Sequence, residues 1–239
     1  MIRLVNFATS GKETLFGTSL GHWGLWFAVL IAAISLTALA LFNLYPPGDL
    51  VLSRVVQSVR VPGINLVSEF IYRIGLSPYF LLVTFAVGMF MTWRRHKLMA
   101  VFIALTAVTR IWAVLIKELV ERPRPSPLAV DVSEQANGFS FPSGHVLGAV
   151  LLWGFIFFAS EQIITNPRTR IWVRWSSLAI IVLMGLQRVY AGAHWPSDVL
   201  GAYLWGGVLL FALVKSYEFC GRCRPEGGMA NSGFLGPDL

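Results

Sequence analysis

Six stretches of mostly apolar residues are spaced along the chain, each close to the ~20 residues a helix needs to cross the hydrocarbon core of a bilayer. They run from Trp23 to Leu44, Ser77 to Trp93, Leu98 to Lys117, His145 to Ile164, Ile171 to Val189 and Val199 to Tyr217; the second is the shortest. Trp23, Tyr79, Trp93, Trp172, Trp175, Trp195 and Tyr217 gather near the ends of these stretches, where amphipathic rings sit at a membrane interface. The pattern predicts an all-α, polytopic membrane protein built as a six-transmembrane-helix bundle. One membrane-embedded domain is expected over residues 1–239, with a cytoplasmic N-terminal segment over 1–22 and a flexible cytoplasmic tail over 218–239. The first apolar run starts late for a cleavable signal and is long enough to span.

The connection from Pro46 to Leu76 is long but patterned. Val51, Leu52, Val55, Val56 and Val59 share one helical face, with Arg54, Gln57, Ser58 and Arg60 largely on the other. After Pro62-Gly63 the pattern returns in Ile64, Val67, Phe70, Ile71 and Ile74. It predicts two short amphipathic helices lying on the outer leaflet, which either guide lipid headgroups or pack against the bundle.

Composition agrees with a lipid environment: 56% of residues are hydrophobic and 13% charged, against about a quarter charged in soluble domains. The net charge of +7 raises nucleic acid as a partner, but no basic patch interleaved with aromatics supports it. The basic residues instead sort by side. Arg3, Lys12, Arg94, Arg95, Lys97, Arg168, Arg170, Arg174, Lys215, Arg222 and Arg224, eleven of the nineteen Lys and Arg, fall on one side of the predicted bundle. The positive-inside rule makes that side cytoplasmic, placing both termini there and the protein in the cell (inner) membrane. Arg110 alone lies within a span. Cys220 and Cys223 cannot complete a four-ligand zinc site in one chain and read as reduced or lipid-modified tail cysteines.

Polar residues cluster in three places on the opposite, outward side. Lys117 opens a stretch that ends in Arg124-Pro125. Pro142-Ser143-Gly144-His145 immediately precedes an apolar helix, whose first N–H groups lack intrahelical acceptors and make an anion site. Arg188 is followed by His194 and Asp198, with Pro196 suited to a helix start. Each cluster has a plain structural reading: a snorkelling lysine, a serine cap, a carboxylate in a first helical turn. Read together, they offer cations for a phosphate and imidazoles for its transfer. Asp198 is placed to accept from one His194 nitrogen and leave the other free to attack. Arg110, seven residues before Lys117 and about 10 Å deeper along the helix, is a candidate contact for a second phosphate or a glycerol backbone, or a structural ion with a buried partner.

The pattern K-x6-RP, PSGH, R-x5-H-x3-D resembles the three-part signature of the type 2 phosphatidic-acid phosphatase superfamily of lipid phosphatases, over Lys117 to Asp198. The family commonly has serine where this chain has Gln187, which can still donate a hydrogen bond, either to a neighbouring site residue or to the substrate. The resemblance implies a metal-independent phosphatase with no cofactor and a phosphohistidine intermediate. On it, His194 is the nucleophile, oriented by Asp198, and His145 protonates the leaving group. Lys117, Arg124 and Arg188 bind phosphoryl oxygens, with backbone donors at Ser143 and Gly144. No Asp/Glu cluster suited to magnesium accompanies them. The expected partner is a membrane lipid, with no nucleic acid and no obligate protein partner. Undecaprenyl diphosphate, phosphatidylglycerol phosphate and phosphatidic acid are candidate substrates. A lipid or small-solute transporter, which would place its polar residues near the midplane, and a phosphotransferase passing the phosphoryl group to another lipid are the alternatives.

Overall fold

The computed structural model describes residues 20–42, 46 and 48–222; Arg3, Lys12 and Arg224, used above to orient the chain, and the tail cysteine Cys223 lie outside them. Among the described residues the chain forms nine helices and no strand: α1 (Leu20–Leu41), α2 (Gly48–Ser58), α3 (Ile64–Gly75), α4 (Ser77–Trp93), α5 (Lys97–Thr109), α6 (Ile111–Val120), α7 (Gly144–Ile163), α8 (Pro167–Tyr190) and α9 (Pro196–Arg222). Helix α7 is central, packed between α8, α9 and α5, with α1 against α9 and α4 against α5. The core follows from this: Val146, Leu147, Val150 and Leu151 of α7 meet Met184 of α8 and Ala202 of α9.

Several boundaries move from those expected. Helix α8 begins at Pro167 rather than Ile171, because the Asn166 side chain accepts from the backbone N–H groups of Arg168 and Thr169, satisfying two otherwise orphaned donors. Helix α9 runs through Arg222, so residues 218–222 belong to it and not to a flexible tail. Five segments are long and apolar enough to cross a membrane: 21–41, 97–120, 144–163, 167–190 and 196–222. Helix α4 covers the expected 77–93 but reaches that criterion only together with α3, from which it is bent by 69° at Leu76. The third expected span breaks at Arg110 into α5 and α6. The Thr109 hydroxyl bonds back to Leu105 O at 2.7 Å, and Ala113 N bonds to Arg110 O in a three-residue turn at 3.1 Å, both of which bend a helix.

Helix α2 reverses the expected packing. Its buried residues are the polar stripe Asp49, Ser53 and Gln57, while Val51, Leu52, Val55 and Val59 are exposed. The stripe is used: the Gln57 amide donates to Asp131 O (2.6 Å) and Tyr190 O (3.2 Å) and accepts from Asp131 N (3.1 Å). An apolar face turned outward suits lipid better than water.

A buried ionic cluster ties α2, the exit of α6 and the start of α9 together. Helix α6 closes at Glu121, which is left-handed with φ 51°, and the next residue, Arg122, is 1% exposed. Its guanidinium meets Asp49 Oδ2 at 2.9 Å and Asp198 Oδ1 at 2.5 Å and donates to Ser197 Oγ at 2.8 Å. Ser197 closes the ring, its N–H donating to Asp49 Oδ1 (2.8 Å) and its hydroxyl to Asp49 Oδ2 (2.5 Å). Arg122→Met leaves two buried carboxylates without their cation, and removal of one partner from a buried pair costs about 3–5 kcal/mol. Thermal unfolding in detergent should show a large loss of stability, with Arg122→Lys recovering only part because an ammonium lacks the planar fork. Unchanged unfolding of Arg122→Met would remove the cluster from any structural role.

Candidate active site

The loops at one end of α7 converge on a cavity of about 440 Å³ lined by Lys117, Arg124, Gly144, His145, His194 and Arg110, with Ser77, Phe80, Leu81, Ala107, Ile111, Ala113 and Val114 forming the rest of its wall. His194 hangs from the short loop between α8 and α9. Gly192, at φ 67°, turns that loop, and a Cβ there would collide with the carbonyl oxygen of Asp131, so only glycine fits.

His194 is 3% exposed. Its Nε2 lies 3.2 Å from Arg124 Nη1. A guanidinium can only donate, so Nε2 must present its lone pair and Nδ1 must carry the proton in the neutral ring. Nδ1 faces Ser140 Oγ at 3.4 Å and Asp198 Oδ2 at 3.6 Å. The direct Asp198–His194 hydrogen bond expected from sequence is therefore stretched to an ion-pair distance. Oδ2 of Asp198 is held instead by the Ser140 hydroxyl (2.5 Å) and the Trp195 N–H (2.9 Å). Burial pushes the His194 imidazole down to about 3; Asp198 opposes this shift, and the positive charges of Lys117 and Arg124 reinforce it. The ring is neutral at physiological pH.

Arg124 is fixed by carbonyls, from Nε to Gly138 O (2.8 Å), from Nη1 to Ala193 O (2.8 Å) and from Nη2 to Asn137 O (3.0 Å). Lys117, in the last turn of α6, donates to Phe139 O (2.5 Å) and Ser140 O (3.1 Å). Both cations thus shape the 137–140 segment as well as the cavity. Ser143 stands at the N-cap of α7, but its hydroxyl makes no capping bond; its backbone N–H donates to Asp198 O at 3.2 Å. The buried Ser143 Oγ and His145 Nε2 have no hydrogen-bond partner among the described residues, at a helix terminus that favours anions. Across the site, the His145 ring stacks on Tyr72 of α3, with centroids 5.9 Å apart and planes at 20°. Gly75 permits this approach, since a Cβ there would collide with His145 Cδ2 and lie 2.9 Å from Met184 Cε.

Arg188 is placed differently from the expectation of an open phosphate ligand. It is 1% exposed and forms a two-pronged pair with Glu134, at 2.9 and 2.6 Å. Its Nε donates to Gln187 Oε1 at 2.6 Å, and its guanidinium lies 4.9 Å from the Tyr72 ring centroid. Gln187 also donates to Ser68 Oγ at 3.3 Å, so it acts on Arg188 from behind and lies outside the cavity lining. Sequence reasoning missed Asp49, Arg122, Glu134, Ser140 and Tyr72. Arg122 carries a local signal, being the first arginine of the Arg122-Pro123-Arg124-Pro125 stretch that also supplies Arg124.

Comparison with known proteins agrees with this architecture. The PAP2 superfamily matches residues 97–222. Phosphatidylglycerophosphatase B of Bacillus subtilis (strain 168) is 33% identical over 202 residues, covering 81% of this chain and 92% of that one. An undecaprenyl-diphosphatase of Sulfolobus acidocaldarius is 35% identical over 81 residues, covering 32% and 33% of the two chains. The crystal structure of a transmembrane PAP2-type phosphatidylglycerolphosphate phosphatase from Bacillus subtilis superposes with a TM-score of 0.71 at 25% identity, covering 83% of this chain and 98% of that one. The chain belongs to the PAP2 superfamily and is a multi-pass membrane phosphatase.

Proposed function

We propose that the protein hydrolyses a lipid phosphate or lipid diphosphate at the outer face of the membrane, through a phosphohistidine on His194 and without a metal. The observation that carries this reading is the His194 ring, neutral and oriented so that Nε2 offers its lone pair beside Arg124. In the first step Nε2 attacks phosphorus, the bond from phosphorus to the leaving oxygen breaks, and His145 gives that oxygen a proton. In the second, His145 takes a proton from water as the water oxygen attacks phosphorus. The P–N bond then breaks, inorganic phosphate leaves and the Nε2 lone pair returns. Lys117, Arg124 and the first N–H groups of α7 neutralise the equatorial oxygens, which is most of what phosphoryl transfer asks of a protein.

The donor set supports chemistry without a metal. Asp49 and Asp198 are bound to Arg122, and Glu134 to Arg188, so these three carboxylates already have a cation. The outward orientation rests on the positive-inside rule: Arg94, Arg95 and Lys97 around the start of α5, and Arg168 and Arg170 in the first turn of α8, lie at the opposite ends of the α5–α6 segment and of α8 from the site. The names of the bacterial and archaeal relatives make phosphatidylglycerol phosphate and undecaprenyl diphosphate candidate substrates, and phosphatidic acid is a third.

Purified protein in detergent should release phosphate from a short-chain lipid phosphate equally well with and without EDTA; loss of turnover in chelator would refute the metal-free reading. His194→Asn should lower turnover by at least ~10³-fold, as removal of a nucleophile does, and abolish an acid-labile phosphoryl label that the native enzyme traps. His145→Asn should cost about 10²–10⁴-fold on an alkyl phosphate and much less on p-nitrophenyl phosphate, whose leaving group needs no proton. Equal losses on both would exclude His145 as the acid. Acid stability supplies a separate check. Because His194 titrates near 3 when folded and near 6.5 when unfolded, its contribution is complete above about 6.5 and is lost as pH falls toward 3, where only the unfolded chain takes up the proton. Unfolding temperature should therefore fall more steeply over that window in the native protein than in His194→Asn; parallel slopes would mean His194 is not desolvated.

A further inference from the structure

Arg110 lies where the third apolar segment breaks, and its side chain crosses the cavity toward α7 and the α3–α4 junction. The guanidinium carbon is 4.8 Å from the Phe80 ring centroid. The Cδ and Nε atoms lie 3.2 Å from where a Cβ on Gly148 would stand. A single long hydrogen bond joins Nη2 to Gly75 O at 3.4 Å, and no carboxylate among the described residues pairs with it. This sets it apart from Arg122 and Arg188, which are both held by acids. A guanidinium within an apolar span is costly, and where one is kept it marks a functional site by default.

Its position relative to the histidines gives the function. Gly75 touches both groups: its carbonyl accepts from Arg110 and its Cα faces the His145 ring. Arg110 therefore stands on the His145 side of the cavity, where the proposed mechanism places the leaving group, while Arg124 stands beside His194. Lys117, Arg124 and Arg110 are three cations lining one cavity, none in a salt bridge with a carboxylate among the described residues. A phosphate monoester brings about −1.5 to −2 at neutral pH; a second phosphate group on the same headgroup adds the further negative charge that matches a third cation.

We propose that Arg110 binds a second phosphate, the one that stays on the lipid after hydrolysis, so that the protein selects lipids carrying two phosphates in series over those carrying one. This inference rests on the proposed function, which puts the scissile phosphate at His194. Two lipid chemistries present such a group: the inner phosphate of a polyprenyl diphosphate, and the phosphodiester that links the glycerol phosphate headgroup of phosphatidylglycerol phosphate to its diacylglycerol.

The test measures kcat/KM for two matched pairs in detergent, farnesyl diphosphate against farnesyl phosphate and dioctanoyl phosphatidylglycerol phosphate against dioctanoyl phosphatidic acid. Native protein should prefer the two-phosphate member of at least one pair, and Arg110→Gln should reduce that selectivity ratio by roughly 10- to 100-fold, the effect of losing a hydrogen bond to a charged group. Arg110→Lys, keeping the charge without the fork, should retain an intermediate ratio. Collapse in the first pair alone assigns the polyprenyl source, in the second alone the glycerol source, and in both the shared chemistry; each supports the subsite. Equal loss on both members of each pair, in protein whose unfolding temperature is unchanged, overturns it. So does native preference for both monophosphates. If native protein hydrolyses none of the four while remaining folded, the proposed function itself fails, an outcome distinct from the loss of Arg110 selectivity.

Discussion

One guanidinium serves two buried carboxylates, and the geometry of the site hangs on it. Arg122 follows α6, Asp49 opens α2 and Asp198 lies in the first turn of α9, so their meeting ties three separate connections together. An isolated buried carboxylate would protonate or stay hydrated; two sharing a forked cation and a serine can remain charged and dry. Replacing such a cluster with apolar residues is often no worse for stability. Its value here is positional. With Oδ1 on Arg122, the other Asp198 oxygen is left for Ser140 and the Trp195 N–H, and the His194 loop is stapled to the start of α9.

The carboxylates of Asp49, Asp198 and Glu134 are therefore allocated, and that sorts the cations. Arg122 and Arg188 are neutralised in place by Asp49, Asp198 and Glu134. Lys117 is held by carbonyl oxygens, and Arg124 by carbonyl oxygens and the His194 ring, neutral partners that orient them but cancel no charge. The cavity keeps a net positive field in a poorly screened setting, where a formal charge acts strongly. Arg188 differs in consequence: its charge is already met by the two bonds to Glu134, so it adds little to the field that Lys117 and Arg124 supply.

Legibility in the sequence followed the range of each interaction. Apolar runs are local, and α4 and α7 fall within a residue of the limits read from them. The first four residues of α8 were missed because Asn166 and Pro167 outweigh the polar composition of Arg168 to Arg170 there. The break at Arg110 depends on a hydroxyl turning back on its own helix, which hydropathy does not register. In the loops the sequence supplied residue types and not their partners. Lys117, Arg124, His145 and His194 do line one cavity. Arg188 carried no sign that Glu134, in a segment otherwise free of pattern, would fill its fork, and the polar stripe of α2 gave no hint that it would face inward.

That inward stripe and the apolar wall of the cavity both separate the charged end of a lipid from its chain. Leu81, Ile111 and Val114 line the same cavity as the histidines yet are more than half exposed, at 55%, 59% and 53%. A headgroup can thus lie among Lys117, Arg124 and His194 while its hydrocarbon emerges between α4 and α6 and stays in the bilayer. Drawing a chain out into water would cost about 0.8 kcal/mol for each CH₂, far more over a long chain than any set of phosphate contacts could return. Helix α2, with its polar face turned to the protein and Val51, Leu52 and Val55 turned out, extends the same division of surfaces around the loops. The ions are gathered inward and covered by an apolar exterior, so the charged end of a lipid is the part that has to move.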